Sequence, residues 1–280
     1  MNPEDVIYLR DLYDKAKDIL SKNDVPDSMV DARLLLEYCF GLKPMDLILY
    51  PDKTCDYEQA VRYMKIVQKR ATRYPLQYIT GIQEFMGLEF KVNESVLIPR
   101  QDTEILVENV IKFCNNKSVL DMCTGSGCII VSIGRYASAR KLTAVDISSK
   151  ALDVARYNAD FNGVSVDFIQ SDLFENVSEK FDVIVSNPPY IPKSVIKGLM
   201  PEVRDYEPHL ALEADNKGLH FYELIAKQAH NYLNENGIIA FEIGYEQAED
   251  VSNILCDNRF YNIKVIKDYA SHDRVVMACI

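Results

Sequence analysis

Asn187, Pro188, Pro189 and Tyr190 bring together the atoms with the clearest chemistry in this sequence. An asparagine oxygen and a proline carbonyl can each accept one N–H of a planar –NH2 group, and an aromatic ring can cover its face. Two consecutive prolines remove two backbone donors and hold φ near about −65°. Pro188 also pushes Asn187 out of the α region, so the chain must turn rigidly here. The β-branched run Val183-Ile184-Val185 just before reads as a buried parallel strand. The corner therefore falls at the carboxyl end of a strand, where open α/β sheets bind ligands. Asn-Pro is equally a signal for an ordinary turn, so the functional reading depends on companions elsewhere in the chain.

Those companions lie upstream. Val119-Leu120-Asp121 reads as a strand end, Thr124-Gly125-Ser126-Gly127 as a flexible loop, and Ile129–Tyr136 as the helix that follows. Glycines let backbone approach a ligand closely, and a helix N-terminus adds a favourable dipole. A second strand, Leu142–Asp146, ends in a carboxylate 19 residues after Gly127, suited to accept hydrogen bonds from both hydroxyls of a ribose. Such a carboxylate sits in a cleft, so its removal is expected to weaken ligand binding and leave the stability of the empty protein unchanged. Ala151–Asn162 is the next helix, and Val166–Gln170 a third strand that ends at Ser171-Asp172-Leu173. Together these features predict a nucleoside cofactor on a doubly wound sheet. The loop lacks GxGxxG spacing and the P-loop lysine, which disfavours dinucleotides and ATP.

The elements that carry this machinery follow from composition and pattern. A chain of 280 residues, 48% hydrophobic and 26% charged, reads as a soluble protein of one large or two smaller domains. No apolar run reaches the ~18 residues of a membrane span, and the acidic opening residues lack the apolar core of a signal peptide. Seven cysteines without a CxxC pair signal neither a zinc site nor a disulfide framework, and no metal is expected. The odd cysteine count suits the reducing cytoplasm. The net charge of −11 argues against a broad nucleic-acid surface. Residues 1–80 nevertheless carry 12 basic and 13 acidic residues, against 19 and 29 in the remainder. Arg62, Lys65, Lys69, Arg70 and Arg73 follow one another without an intervening acid, as a solvated helix face or a partner contact.

Residues 1–75 read as a small helical bundle. Asn2 and Pro3 start its first helix, Ser28-x-x-Asp31 resembles a capping box ahead of Ala32–Phe40, and Gly41 closes that helix. Asp56-x-x-Gln59 caps a longer helix that runs to Arg73. Residues 76–100 form a linker with a hairpin turning near Gly87. Asp102 is expected to cap a helix over Thr103–Phe113, with Arg100 and Glu104 at its mouth. The four histidines, 209, 220, 230 and 272, read as surface or structural groups.

These residues carry a family resemblance. Asp121-Met122-Cys123-Thr124-Gly125-Ser126-Gly127 resembles the cofactor loop of S-adenosylmethionine-dependent methyltransferases, and Asn187-Pro188-Pro189-Tyr190 the motif of those that methylate planar –NH2 nitrogens. Tyr78–Gly81, Leu97–Arg100 with Asp102–Glu104, Ser171–Phe174, Tyr206–Pro208, Phe241–Gly244 and Asp273–Val276 narrow the likeness to release factor glutamine methyltransferases, the PrmC/HemK family. The resemblance implies an α/β fold, a Rossmann-like class I methyltransferase sheet of seven strands, over residues 101–280, with its last strand antiparallel. It implies a release-factor-binding role for the N-terminal helices. It assigns Cys123, Thr124, Gly125, Ser126, Gly127, Asp146, Asp172, Leu173 and Asn187 to the cofactor. Asn187, Pro188, Pro189 and Tyr190 are assigned to the substrate, with Asn187, Pro188 and Tyr190 catalytic. The implied substrate is the glutamine of a Gly-Gly-Gln loop in a peptide-chain release factor. Departures are Gln101 where the family usually has proline and Cys123 where it has glycine. A side chain at 123 takes room and disfavours positive φ, so weakened cofactor binding is expected. The alternatives are an amino-methyltransferase for adenine or cytosine in nucleic acid and a cofactor-binding protein without turnover.

Overall fold

Amphipathic spacing decides the first unit. The computed structural model describes residues 6–280, so the expected start at Asn2 and Pro3 lies outside the described residues. Leu9, Leu12, Ala16 and Leu20 line the buried face of α1 (Leu9–Lys22), which packs against α2 (Ser28–Phe40) and α3 (Tyr57–Ala71). The capping box of α3 forms as its sequence predicts: Gln59 N donates to Asp56 Oδ1 at 2.7 Å and Asp56 N to Gln59 Oε1 at 3.2 Å. Gly41 closes α2 at φ 60°. The capping box predicted at Ser28 does not form. The helix already begins at Ser28, and Asp31 is buried inside the bundle, where its Oδ2 accepts from Arg70 Nε at 2.7 Å.

That ion pair also corrects the reading of the basic run. The first unit consists of Met1–Gly81 and Met200–Tyr206. Arg70 is 5% exposed and reaches Asp31 and Glu202, while Arg73 donates twice to Glu202 at 2.6 Å. Lys69 lies 3.7 Å over the Tyr74 ring. Arg62 and Lys65 are exposed. Two of the five cations therefore hold this unit together and are not free to meet a partner.

The second unit, Ile82–Leu199 and Glu207–Ile280, is built on a seven-stranded sheet. Its strands are β1 (Ser118–Met122), β2 (Lys141–Asp146), β3 (Asp167–Gln170), β4 (Phe181–Ser186), β5 (Leu233–Glu242), β6 (Tyr261–Lys267) and β7 (Asp273–Cys279). They lie in the order β6-β7-β5-β4-β1-β2-β3, and β7 runs antiparallel to both neighbours. Alternation along the central strands serves two cores. Val119, Val183 and Val185 enter one, and Leu120, Met122 and Ile184 enter the other. Helices α4 (Gln101–Val110), α5 (Cys128–Tyr136), α6 (Ser149–Phe161), α7 (His220–Ala229) and α8 (Ala248–Asp257) cover the sheet. A hairpin, Ile82–Phe85 with Leu88–Lys91, precedes them and turns at Met86 and Gly87, both at positive φ. Helix α4 starts two residues before its predicted first residue. Asp102 therefore sits inside its first turn rather than capping it, and its carboxylate meets Arg274 at 3.1 Å.

Candidate active site

Strands β1 and β4 are neighbours, with Met122 opposite Ser186, so the loops after them leave the sheet side by side. This is the point where strand order reverses direction, the usual place for a ligand in such sheets. Ser186 Oγ ties the two ends together by donating to the Met122 carbonyl at 2.6 Å. A cavity of about 500 Å³ opens there, within the range of small-molecule sites.

The loop after β1 is held from several directions. Cys123 stands at φ 62° and Gly125 at φ 56°. The expected conflict between a side chain and positive φ at 123 is therefore present, and the loop accommodates it. Thr124 Oγ1 donates to Asp121 Oδ2 at 2.6 Å, and Thr124 N to the Val145 carbonyl at 3.0 Å. Asn158, fully buried on α6, donates to the Ser126 carbonyl at 2.8 Å. Gly127 is required for packing: a Cβ there would lie 3.0 Å from the Ala155 Cβ.

Asp146, at the end of β2, has two duties. Its Oδ2 accepts from Gly125 N at 2.8 Å and its Oδ1 from Ser148 N at 2.9 Å. This carboxylate therefore braces the loop as well as facing the cavity, which argues against the expectation that its removal changes the empty protein's stability little. A carboxylate offers about four acceptor sites, so acceptor capacity remains for a ribose. Burial raises its pKa, and the N–H groups of Ser148, Gly125 and Ile147 oppose the shift.

Burial governs the other titratable groups. It lifts Asp121, 0% exposed and with Oδ1 unpartnered, to about 7 against the pull of Thr124. It pushes the Cys128 thiol up to about 12 and Cys123 further still, with Asp146 and Asp121 adding to the latter. Burial thus disfavours the thiolate form of both. Among the described residues, no group of three His, Cys, Asp or Glu side chains is placed to hold a metal.

On the opposite wall, Asn187 Nδ2 donates to Thr103 Oγ1 on α4 at 3.3 Å. Pro188 and Pro189 are buried, and the Tyr190 hydroxyl donates to Glu242 Oε1 at 3.3 Å. Gly218 allows the chain to pass: a Cβ on it would stand 2.1 Å from the Tyr190 carbonyl oxygen. Glu207, 4% exposed, accepts from Arg100 Nη2 at 2.5 Å, fastening the segment that carries Pro208, Leu210 and Ala211 onto the cavity wall.

Of the residues singled out in the sequence, Cys123, Thr124, Gly125, Ser126, Asp146, Asp172, Leu173, Asn187 and Pro189 line this cavity together. Gly127, Pro188 and Tyr190 do not line it. Thr103, Ile147, Leu210 and His220 line it without having been expected. His220, read from sequence as a structural group, opens α7 against the cavity. Thr103 and Phe241–Gly244 belonged to segments quoted for the resemblance, but no local spacing marked their place here.

A parallel sheet closed by an antiparallel seventh strand, with a nucleoside-sized cavity at its switch point, defines a class I methyltransferase. The Methyltransferase small domain family matches residues 100–199, and the PrmC N-terminal domain family matches residues 11–81. Similarity extends along the chain. A release factor glutamine methyltransferase of Fusobacterium nucleatum is 42% identical, over 96% of this chain and 78% of its own length. One of Clostridium acetobutylicum is 40% identical over 96% and 98%. The crystal structure of a methyltransferase from Pyrococcus furiosus shares the fold, with a TM-score of 0.55 at 16% identity over 79% of this chain and 98% of that one. The chain belongs to the release factor glutamine methyltransferase family.

Proposed function

We propose that this protein transfers the methyl group of S-adenosylmethionine to the side-chain amide nitrogen (N5) of the glutamine in the Gly-Gly-Gln loop of a peptide-chain release factor. The observation that carries this reading is the sharing of one cavity by the Asn187 corner, the Gly125 loop and Asp146. The residues fit the cofactor: the cavity has the volume, and Asp146 keeps acceptor capacity for a ribose hydroxyl. Cys123, Thr124, Gly125 and Ser126 would hold it, Asp172 or Leu173 would flank its adenine, and Gly127 would act indirectly by letting α5 close on Ala155. S-adenosylmethionine would supply an electrophilic methyl whose sulfur leaves as a neutral thioether, and the methylated nitrogen then gives up one N–H proton to solvent.

An amide nitrogen is a poor nucleophile because its lone pair is delocalised into the carbonyl. Asn187 Oδ1 and the Pro188 carbonyl each accept one N–H and orient the nitrogen. Both hydrogen bonds strengthen as positive charge grows there, which stabilises the transition state more than the ground state. Pro189 contributes a rigid wall. Tyr190 supports the corner through Glu242, and its ring is the candidate for packing against the amide plane. The N-terminal unit is assigned to the release factor, away from the glutamine loop, with Arg62 and Lys65 as exposed cations. Work in the cytoplasm is part of the same reading; among the described residues no helix is long and apolar enough to cross a membrane.

A radiolabel transfer assay with release factor and nucleic acid side by side tests the proposal. Label should enter the release factor and vanish when its loop glutamine is replaced by alanine. Label in adenine or cytosine instead would sink the reading.

A further inference from the structure

We infer that Gln247 is a positioning residue for methyl transfer, fixing the Tyr190 end of the substrate corner against the turn that opens α7. The inference rests on the reading of residues 187–190 as the corner that receives the glutamine amide. Pro188 and Pro189 have no backbone N–H, so the middle of this corner cannot be anchored by donors of its own. The Asn187 side chain leans on Thr103 and the Tyr190 hydroxyl on Glu242. Gln247, just ahead of α8, takes the backbone itself: its Nε2 donates to the Tyr190 carbonyl at 3.2 Å.

The same Nε2 donates to the Lys217 carbonyl at 3.4 Å, and Oε1 accepts from Gly244 N at 2.9 Å. The Gly244 N–H can only donate and the two carbonyls can only accept, so one orientation of the amide is selected. Only a primary amide of this length gives two hydrogen bonds and receives one. The neighbouring backbone is shaped to admit it. A Cβ on Gly218 would lie 2.6 Å from Gln247 Nε2, and one on Gly244 would lie 2.9 Å from its Oε1.

The Lys217 contact holds a strained turn. Asn216, Lys217 and Gly218 stand at φ 51°, 57° and 87°, three consecutive residues in the left-handed region. Asparagine and glycine adopt that region readily, whereas for lysine it is unfavourable. Such a turn persists only where its surroundings hold it. It leads directly into His220 and Phe221, which line the cavity together with Asn187 and Pro189. Gln247 therefore ties together two segments of the cavity wall without lining the cavity itself. The spacing of those segments is what a glutamine side chain meets as it enters beside Asn187.

The test compares Gln247→Glu, Gln247→Met and Asn187→Ala in methyl transfer to intact release factor. Gln247→Glu keeps the length and the acceptor for Gly244 N but loses both donations, and Gln247→Met loses all three hydrogen bonds. Each should lower kcat about 10- to 100-fold, the scale of a displacement near about 1 Å at a reacting centre. KM for release factor should stay within about threefold of wild type, because contacts remote from the corner are untouched. Affinity for S-adenosylhomocysteine should also hold within about threefold, since Asp146 and Asn158 brace the Gly125 loop independently of Gln247. Hydrogen exchange gives a readout without reaction. The amides of Gly218, bonded to the Asp215 carbonyl at 3.0 Å, and Ile191, bonded to the Leu212 carbonyl at 2.9 Å, should exchange faster by about tenfold or more. Amides of β1 and β4 should keep their wild-type protection.

Gln247 is only half-buried, and should Gln247→Met fail to fold, Gln247→Glu decides. Wild-type kcat in Gln247→Glu, with Asn187→Ala inactive, overturns the inference and leaves the role of Asn187 standing. A fall in kcat matched by an equal loss of S-adenosylhomocysteine affinity also overturns it, because Gln247 would then serve the cavity as a whole. Full turnover in Asn187→Ala overturns the underlying reading instead.

Discussion

Replacing Asp146 by alanine should damage two properties that are separable by measurement. In the cofactor-free protein the variant loses the acceptors for Gly125 N at 2.8 Å and Ser148 N at 2.9 Å. Hydrogen bonds to a charged group contribute about 1.5–3 kcal/mol each. Gly125 is partly exposed, so water recovers some of that loss. A total near the low end, about 2–3 kcal/mol, is the reasoned value. For a unit of this size 1 kcal/mol shifts Tm by about 2–4 °C, so a fall of roughly 5–10 °C is expected in a thermal melt without ligand. Binding loses acceptor capacity as well. If a ribose hydroxyl donates to a remaining lone pair, affinity for S-adenosylmethionine should drop by about 1.5–3 kcal/mol, or roughly 10- to 150-fold. Calorimetric titration well below the variant's Tm isolates this term from the stability loss. A melt within 1 °C of wild type would refute the idea that the carboxylate pins the loop. An unchanged Kd in a folded variant would show that the ribose is held elsewhere.

Cys123→Gly should leave cofactor affinity unchanged or improved. Glycine removes a positive-φ strain of about 1–2 kcal/mol, and the added freedom of the unfolded chain does not enter a comparison of two folded states; a tenfold loss by titration would mean the sulfur contributes specifically. Asp121→Asn should stabilise the protein at pH 8 and make no difference near pH 4. Its pKa is about 7 when folded and 3.8 when unfolded, so the folded state binds the extra proton, and wild-type stability is full below pH 4 and falls as pH rises through 7. A gap between the two melting curves that does not vary from pH 4 to 8 would contradict this. Arg70→Met should cost about 3–5 kcal/mol in denaturant unfolding because it leaves Asp31 and Glu202 facing a neutral group, whereas Lys65→Glu should change stability by less than about 0.5 kcal/mol. Equal effects at the two positions would return Arg70 to the list of partner-binding cations.

What could be read from the sequence was whatever is encoded locally. The Asn187-Pro188-Pro189 corner, the Gly125 loop and the strand ends at Asp121, Asp146 and Asp172 each follow from a few adjacent residues. Their bounds in the fold differ from expectation by only a few positions. Local grammar misled where a polar residue had two possible employers. Asp31 and Asp102 both have the spacing of helix caps, yet each carboxylate meets an arginine 39 or more positions away, Arg70 and Arg274 respectively. Arg70 and Arg73 likewise look like part of a solvated stripe. Glu202, about 130 residues further on, takes them both, and nothing near position 70 announces it.

The same distinction explains why the cavity itself was legible while its supports were not. Asn187 and Gly125 lie far apart in sequence, but a parallel sheet sends every strand's carboxyl end to one edge, and the reversal between β1 and β4 leaves a crevice there. Two motifs recognised as strand-end loops are therefore brought together by topology alone, with no knowledge of side-chain contacts. Thr103 comes from a helix start and Glu242 from the end of β5, and their contacts with Asn187 and Tyr190 respectively depend on how distant elements meet at that edge. The contact spans 84 residues in one case, and the Tyr190–Glu242 bond 52 in the other. A single sequence gives no periodic trace of such pairs. It can nevertheless offer one physical clue. Glu242 is an acid at the end of the apolar run Ile238-Ile239-Ala240-Phe241, where burial is costly unless the charge has employment. An acid so placed, like Asp121 after Val119-Leu120 and Asp146 after Ala144-Val145, marks a strand end that faces the ligand edge of the sheet. Applied to the five parallel strands that flank the cavity edge, that rule finds β1, β2 and β5, while β3 ends in Gln170 with Asp172 two residues beyond and β4 is followed by Asn187. Under the proposed function, the amide after β4 leaves an uncharged Oδ1 to accept a substrate N–H. On that reading Asn187 marks the reacting corner, and the acids at the ends of β1, β2 and β5 belong to strand ends that bind and brace.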